Sequence, residues 1–353
     1  MTETFRLATR GSALALRQAA SVKEALETRK REVELVEVQT KGDEITDDLI
    51  HRLGKTGAFV RALDERVLDG DVDAAIHSMK DMPTEMPSEL VVAGVPERAA
   101  AGDVLVTPNG TDLDDLPEGA VVGTGSLRRG AELLARRPDL NITPLRGNVD
   151  TRVEKLLAPG LQQEHDARTE AEKTDDGGYS ESVETWFSGL HEIERRALER
   201  DVETEFDAIV LAESGLQRAG ILPNVEYQRL PTKEFVPAPG QGAIAVTTRD
   251  GELAETVKRA VDFPRSRVET TVERTVLREL NGGCIAPIGV HAVMQGPYVH
   301  TSVRVLSRDG TEEVSVTRDL TIERHHKAAK KLGADLREQG AAELIEEARR
   351  SIE

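Results

Sequence analysis

The side chains best suited to chemistry in this chain are one aspartate, one cysteine and a spaced set of arginines. Asp81 lies in His77-Ser78-Met79-Lys80-Asp81-Met82-Pro83, just past a short apolar run, where an α/β sheet places its ligand crevice. An aspartate beside Lys80 and near arginines is expected to stay ionised and to stabilise a developing cation rather than serve as an acid. The plainer reading is a turn or cap residue before Pro83. Cys284 occupies Asn281-Gly282-Gly283-Cys284-Ile285-Ala286-Pro287, where two glycines allow a tight turn and close backbone approach to whatever the sulfur holds. The alternative is a small buried hydrophobe. A single cysteine forms no internal disulfide and supplies no paired thiolates, and the histidines show no metal-ligand spacing, so no metal is expected.

Arginines recur where strands end or helices begin: Arg10, Arg128 with Arg129, Arg146 and Arg152. Helix N-termini carry unpaired N–H groups and a positive dipole end, so Arg10 beside Ser12, and Arg128 and Arg129 just after Ser126, suit carboxylates or phosphates. Any one of these arginines alone reads equally well as a surface ion-pair partner. Together they suggest two facing anion sites.

These residues need elements to position them. The first stretch reads as a strand (Phe5 to Ala8), a polar turn, and a helix capped by Ser12. A strand at Val33 to Gln39, a helix over Gly57 to Leu68, and strands at Val72 to Ile76 and Leu90 to Val95 follow. After Asp103 to Val106 the pattern restarts: strand Ala120 to Val122, helix from Ser126, strand Ile142 to Leu145, helix from Asn148, strand Ala208 to Leu211, helix Gly215 to Ala219. Two α/β units of largely parallel sheet are predicted. The apolar run Ala243 to Val246, after a Pro/Gly-rich segment, is expected to return to the first sheet. A long helix over Ser266 to Leu280, three alternating strands and terminal helices predict a third, α+β unit. The expected boundaries are 1–103 with about 233–250, 104–232, and 255–353. Between 160 and 205 lies a long acid-rich stretch holding the single tryptophan, Trp186. It reads as a solvated insertion, helical around His191 to Arg200, or alternatively as a lid anchored by Trp186 and Phe187.

At 353 residues the chain exceeds what one core supports, and 38% hydrophobic residues suffice for several. A net charge of −18 argues against nucleic acid or anionic lipid as partner. Arginine far above lysine amid abundant Asp and Glu suggests adaptation to a salt-rich cytoplasm. The first residues show no basic-then-apolar leader, and no run approaches the roughly 20 apolar residues of a membrane span, so a cytoplasmic protein is expected.

The segments Ala8 to Ser12, Thr40-Lys41-Gly42-Asp43, His77 to Pro83, Gly123 to Arg129, Leu145 to Asn148 through Thr151-Arg152, Pro239 to Ala243, and Leu280 to Gly289 together resemble the porphobilinogen deaminase family, also called hydroxymethylbilane synthases. The resemblance covers most of the chain outside 160–205. It implies two α/β domains like those of periplasmic binding proteins, with a cleft between them, and a smaller α+β domain carrying the cysteine. It implies a dipyrromethane cofactor joined to Cys284 by a thioether. The implied reaction, in tetrapyrrole biosynthesis, joins four porphobilinogen molecules head to tail with loss of ammonia from each, and water then releases hydroxymethylbilane. Each step passes through a methylene-pyrrolenine cation, which Asp81, matching the family's catalytic aspartate, would stabilise while relaying protons. By the same pattern Arg10, Ser12, Lys80, Thr124, Ser126, Arg128, Arg129, Arg146 and Arg152 bind the acetate and propionate groups. Lys55 and Phe59 fall in the active-site loop, and a monomer is implied. Three positions depart from the family: Thr56 stands where a lysine is usual, Gly125 where a serine is common, and Lys41 where many relatives have arginine.

Two other readings compete. A non-catalytic two-lobed anion-binding protein would also collect arginines at helix starts, but has no use for Cys284 in a glycine loop. A phosphate-handling α/β enzyme lacks its P-loop or dinucleotide glycine fingerprint.

Overall fold

The computed structural model describes residues 3–38, 58–174, 178–282 and 286–351. Cys284, Lys55, Thr56 and the segment Thr40 to Asp43 lie outside the described residues, as does the side chain of Phe59.

The first stretch comprises β1 (Glu3–Arg10), α1 (Ala13–Leu26), β2 (Arg31–Val38), α2 (Ala58–Asp69), β3 (Ala74–Ser78) and β4 (Leu90–Gly94). The chain then crosses to a second sheet with β5 (Asp103–Val106), β6 (Val121–Thr124), α3 (Leu127–Arg136), β7 (Asn141–Pro144), α4 (Val149–Thr174), α5 (Val183–Gly189), α6 (Glu192–Leu198), β8 (Ala208–Ala212), α7 (Glu213–Ala219) and β9 (Tyr227–Arg229). It returns as β10 (Ile244–Arg249) and α8 (Glu252–Val261), and continues into α9 (Pro264–Glu279), β11 (Ile288–Gln295), β12 (Tyr298–Leu306), β13 (Glu313–Thr321), α10 (His325–Leu336) and α11 (Ala342–Arg350).

The two five-stranded sheets share one plan. Their orders are β2-β1-β3-β10-β4 and β7-β6-β8-β5-β9. In the first, β1 runs parallel to β2 and β3, while β10 is antiparallel to β3 and β4. In the second, β6 runs parallel to β7 and β8, while β5 is antiparallel to β8 and β9. The expected return of 243–246 to the first sheet is therefore present, lengthened to Arg249. The central strands β3 and β8 are almost wholly buried, as strands covered on both faces must be.

The caps follow the sequence. Ser12 Oγ accepts the Ala15 amide and Ser126 Oγ accepts the Arg129 amide, so each satisfies an orphan donor of its helix. In the third unit the meander β11-β12-β13 alternates buried and solvent-facing residues along β12. Its inner face packs Val290 and Val303 against Val272, Val276, Leu332 and Leu336 of α9 and α10.

Three elements went unread in the sequence, α5, α8 and β9. The 160–205 stretch also differs from expectation. It is not mainly solvated loop: α4 continues to Thr174, and α5 and α6 fold back on the second unit. Ile193 joins the core formed by Val153, Leu156 and Ile209. Trp186 is buried, with the Arg168 guanidinium 5.1 Å from its ring and 4.4 Å from that of Tyr179, whereas its neighbour Phe187 is 41% exposed. Only one of the two expected anchors is seated.

Candidate active site

The groups expected to do chemistry converge at the carboxyl ends of the central strands of both sheets. Arg10 ends β1, Lys80 and Asp81 form a 3₁₀ turn just after β3, Thr124 ends β6, and Arg146 follows β7. Asp81 is exposed; Arg10, Lys80, Arg146 and Arg152 are half-buried. Lys80 lies within electrostatic reach of Asp81, Arg129, Asp103 and Arg152, and Arg152 within reach of Arg129, Arg146 and Asp81. Residues far apart in the chain thus share one cationic surface with one exposed carboxylate at its edge.

This surface is electrostatically uncomfortable without a ligand. Burial pulls the Arg152 guanidinium down to about 10, and the like charges of Arg129 and Arg146 add to that, with only Asp81 opposing. Lys80 is likewise lowered by burial, then raised by Asp81 and lowered by Arg129. Among the described residues Lys80, Arg146 and Arg152 make no ion pair within 4 Å, and Arg152 is steadied by donating to the Gly147 carbonyl at 2.8 Å. An arriving carboxylate would find these cations unneutralised.

Arg128 and Arg129 are placed differently. They are only 4% and 5% exposed and wrap around Asp103, itself 1% exposed. Arg129 donates to Asp103 through Nε at 3.0 Å and Nη2 at 2.8 Å, to the Val210 carbonyl, and to Gln241 Oε1 at 3.3 Å. Arg128 donates to Asp103 at 2.7 Å, to Glu132 at 2.7 Å and to the Val236 carbonyl at 2.9 Å. Gln241 closes the ring by donating to Asp103 at 2.8 Å and to the Ala101 carbonyl at 2.6 Å. Burial pushes Asp103 up, but the two guanidiniums outweigh it and hold the carboxyl well below the usual carboxylate range. The terminal nitrogens of Arg128 therefore engage Asp103, Glu132 and the Val236 carbonyl. Arg129 is anchored in the same network yet still projects its charge onto Lys80 and Arg152.

Glu132 completes the buried group. Burial pushes it up to about 8, against the pull of Arg128, and its Oε1 is buried with no hydrogen-bond partner among the described residues. A carboxyl raised above its unfolded value of about 4.5 stabilises the fold fully below that value and loses the contribution as pH rises through about 8. Glu132→Gln should therefore remove a decline in thermal stability between pH 5 and 8 that the parent shows, a difference on the order of a few kcal/mol. Parallel pH profiles of the two proteins in thermal unfolding would refute this.

The two serines and Thr124 shape the starts of α1 and α3. Ser12 and Ser126 accept amides through lone pairs, which leaves each O–H free to donate. Thr124 Oγ1 accepts the Ser126 amide at 3.2 Å and fixes the turn. Gly125 has a physical reason of its own: a Cβ there would lie 2.9 Å from the Leu145 carbonyl oxygen and 3.6 Å from the Arg152 guanidinium. Asp103, Gln241 and Arg218 were not singled out from the sequence as site residues. Arg218 reaches from α7 to the Gly242 carbonyl at 2.6 Å, and burial lowers its pKa. The one available signal for Asp103 was a charged residue opening the apolar run Asp103-Val104-Leu105-Val106.

A family model described as porphobilinogen deaminase, dipyromethane cofactor binding domain, matches residues 5–168 and 192–256. A second, porphobilinogen deaminase C-terminal domain, matches 268–341. The unmatched internal stretch, 169–191, is narrower than the 160–205 expected. The probable porphobilinogen deaminase of Halobacterium salinarum is 52% identical, with 98% of both chains covered. That of Methanococcoides burtonii is 40% identical over 97% of this chain and 96% of its own. The porphobilinogen deaminase of Campylobacter hominis is 34% identical over 98% of each. Among solved structures, the periplasmic ectoine-binding protein of Halomonas elongata covers 99% of this chain and 99% of its own at 12% identity, with a TM-score of 0.34.

Proposed function

We propose, for a chain that belongs to the porphobilinogen deaminase family, that Asp81 is the catalytic carboxylate and that Lys80, Arg146 and Arg152, with Arg10, Ser12 and Ser126, hold the acidic side chains of its pyrroles. The chain is a transferase that joins four porphobilinogen molecules into hydroxymethylbilane with release of ammonia. The observation that carries the site assignment is the group Lys80, Arg146 and Arg152, half-buried and without ion pairs among the described residues, beside the exposed Asp81, in a chain of net charge −18. A pure anion-binding site would not need the aspartate, which opposes anion binding.

The same donor set fits the family's dipyrromethane, whose rings bear carboxylates. Arg129 and Arg152 on the second unit and Lys80 on the first would hold it, with Cys284 as its point of attachment. When bound, it supplies the primer to which the first substrate pyrrole is added.

Porphobilinogen brings two carboxylates, and guanidinium groups bind these as directional forks while Lys80 adds a point charge. Loss of ammonia leaves positive charge on the substrate. The protonated amine departs as neutral ammonia and its charge passes to the ring; the ionised Asp81 carboxylate lowers the energy of that cation, then accepts the proton lost by the newly joined ring and passes it to solvent. Half-burial of the surrounding cations strengthens each of these interactions relative to water.

The finer reading follows from charge and topology. Three domains are assigned, 1–103 with about 233–250, 104–232, and 255–353. The acid excess suits a monomer in a salt-rich cytoplasm and disfavours nucleic acid.

Intact mass is the decisive test. The purified protein should weigh more than its polypeptide by one dipyrromethane, and porphobilinogen should add single pyrrole units stepwise. Cys284→Ser should lack the initial increment. An unchanged adduct on that variant would place the attachment elsewhere.

A further inference from the structure

The Lys80–Asp81 turn is gripped by a residue from the third unit. Arg274, in the middle of α9, donates through Nη1 to the carbonyls of Met79 and Met82, both at 3.3 Å, and through Nη2 to that of Pro83 at 2.6 Å. These carbonyls bracket Asp81 on both sides. The turn is otherwise pinned from below: the Met79 amide donates to the Ala243 carbonyl at 3.0 Å, and the Met79 and Met82 side chains are buried. Gly240, at φ +76°, lets the hinge backbone pass where a Cβ would sit 2.9 Å from Met79 Cγ. Among the described residues, Arg274 is the side chain that holds the Met82 and Pro83 carbonyls. Burial lowers the Arg274 pKa, and no carboxylate shares its guanidinium among the described residues.

From this geometry we infer that Arg274 is a positioning residue for Asp81, tying the catalytic turn to the helix that leads into the Cys284 segment. Helix α9 ends at Glu279, and Cys284 follows Arg274 by ten positions in the sequence. The guanidinium thereby fixes where the carboxylate stands relative to the unit that holds the growing chain. Lysine offers no planar fork and cannot span three carbonyls in this way.

The inference rests on Asp81 being the catalytic carboxylate, and a double-mutant cycle on the holoprotein separates the two. Arg274→Met and Arg274→Lys should lower kcat on the order of 10- to 100-fold, with KM within about twofold and the dipyrromethane mass increment retained. Hydrogen exchange at the Met82 amide, which donates to Met79 at 3.2 Å, should speed up in both variants. In an Asp81→Asn background the Arg274 substitution should cost less than about twofold more. A full multiplicative loss in that background, or unchanged exchange at Met82, overturns the inference. Near-normal turnover of Asp81→Asn alone overturns the catalytic assignment instead. If Arg274→Met does not accumulate as folded protein, Arg274→Lys carries the same cycle.

Discussion

Asp81→Ala should fold, keep its covalent cofactor and lose nearly all turnover, by about 10²- to 10⁴-fold. The side chain is exposed and makes no hydrogen bond among the described residues, so its removal should change stability by no more than about 0.5 kcal/mol. The catalytic loss has two sources. The developing substrate cation loses its nearest carboxylate, Arg152 loses the one neighbour that favours its charged form, and Lys80 keeps only the buried Asp103 against Arg129. Rates of product formation together with thermal unfolding decide the matter. A variant that turns over normally removes the carboxylate from the chemistry, whatever its stability.

The second large effect is structural. Asp103→Asn keeps the shape of the side chain but removes the charge shared by Arg128, Arg129 and Gln241. Two guanidiniums would then remain buried with only Glu132, raised by burial, and neutral carbonyl or amide oxygens for company. Removing one partner of a buried ion pair costs about 3–5 kcal/mol, because the surviving charge cannot return to water. Because Asp103 is held well below the usual carboxylate range, its contribution is present at neutral pH and fades only as strong acid protonates it. The deficit should therefore persist across ordinary buffers, and denaturant unfolding at pH 6 and 8 should show similar losses. Unfolding free energies within about 1 kcal/mol of the parent would mean that the network relaxes around the lost charge. Activity should fall as well, since Arg129 bridges the buried network and the cleft.

Much of this architecture was visible in the residues themselves. Ser12 and Ser126 announce their helices because a hydroxyl before an apolar periodic run has an evident task at a helix start. The return of β10 was readable from an apolar run following Pro239-Gly240-Gln241-Gly242. Helix α8 was missed because its buried positions, Ala254, Val257 and Val261, are small and set among charged residues that look like a surface loop. Strand β9 spans three residues, too few for alternation to declare itself. Trp186 and Phe187 are adjacent, and on a helix neighbours point in different directions, so only one could be buried against the same surface.

The site was legible as a set of residue types and obscure as a set of partnerships. Arg128 and Arg129 look identical in sequence to Arg146 and Arg152, yet an aspartate 25 positions earlier claims the first two and leaves the others to the cleft. Arg274 looked like one of several cations on an amphipathic helix. Nothing local marks it, because its three acceptors are backbone carbonyls nearly 200 positions away.

The return of β10 to the first sheet bears on how the chain is made. During synthesis the strands of the lobe spanning β5 to β9 emerge in one continuous stretch, so that lobe can close while still near the ribosome. The N-terminal lobe cannot. Its β3 and β4 are separated in the finished sheet by β10, which arrives about 150 residues after β4. Until then β3 presents an unpaired edge, open to wrong partners, and the half translated first is the half completed last.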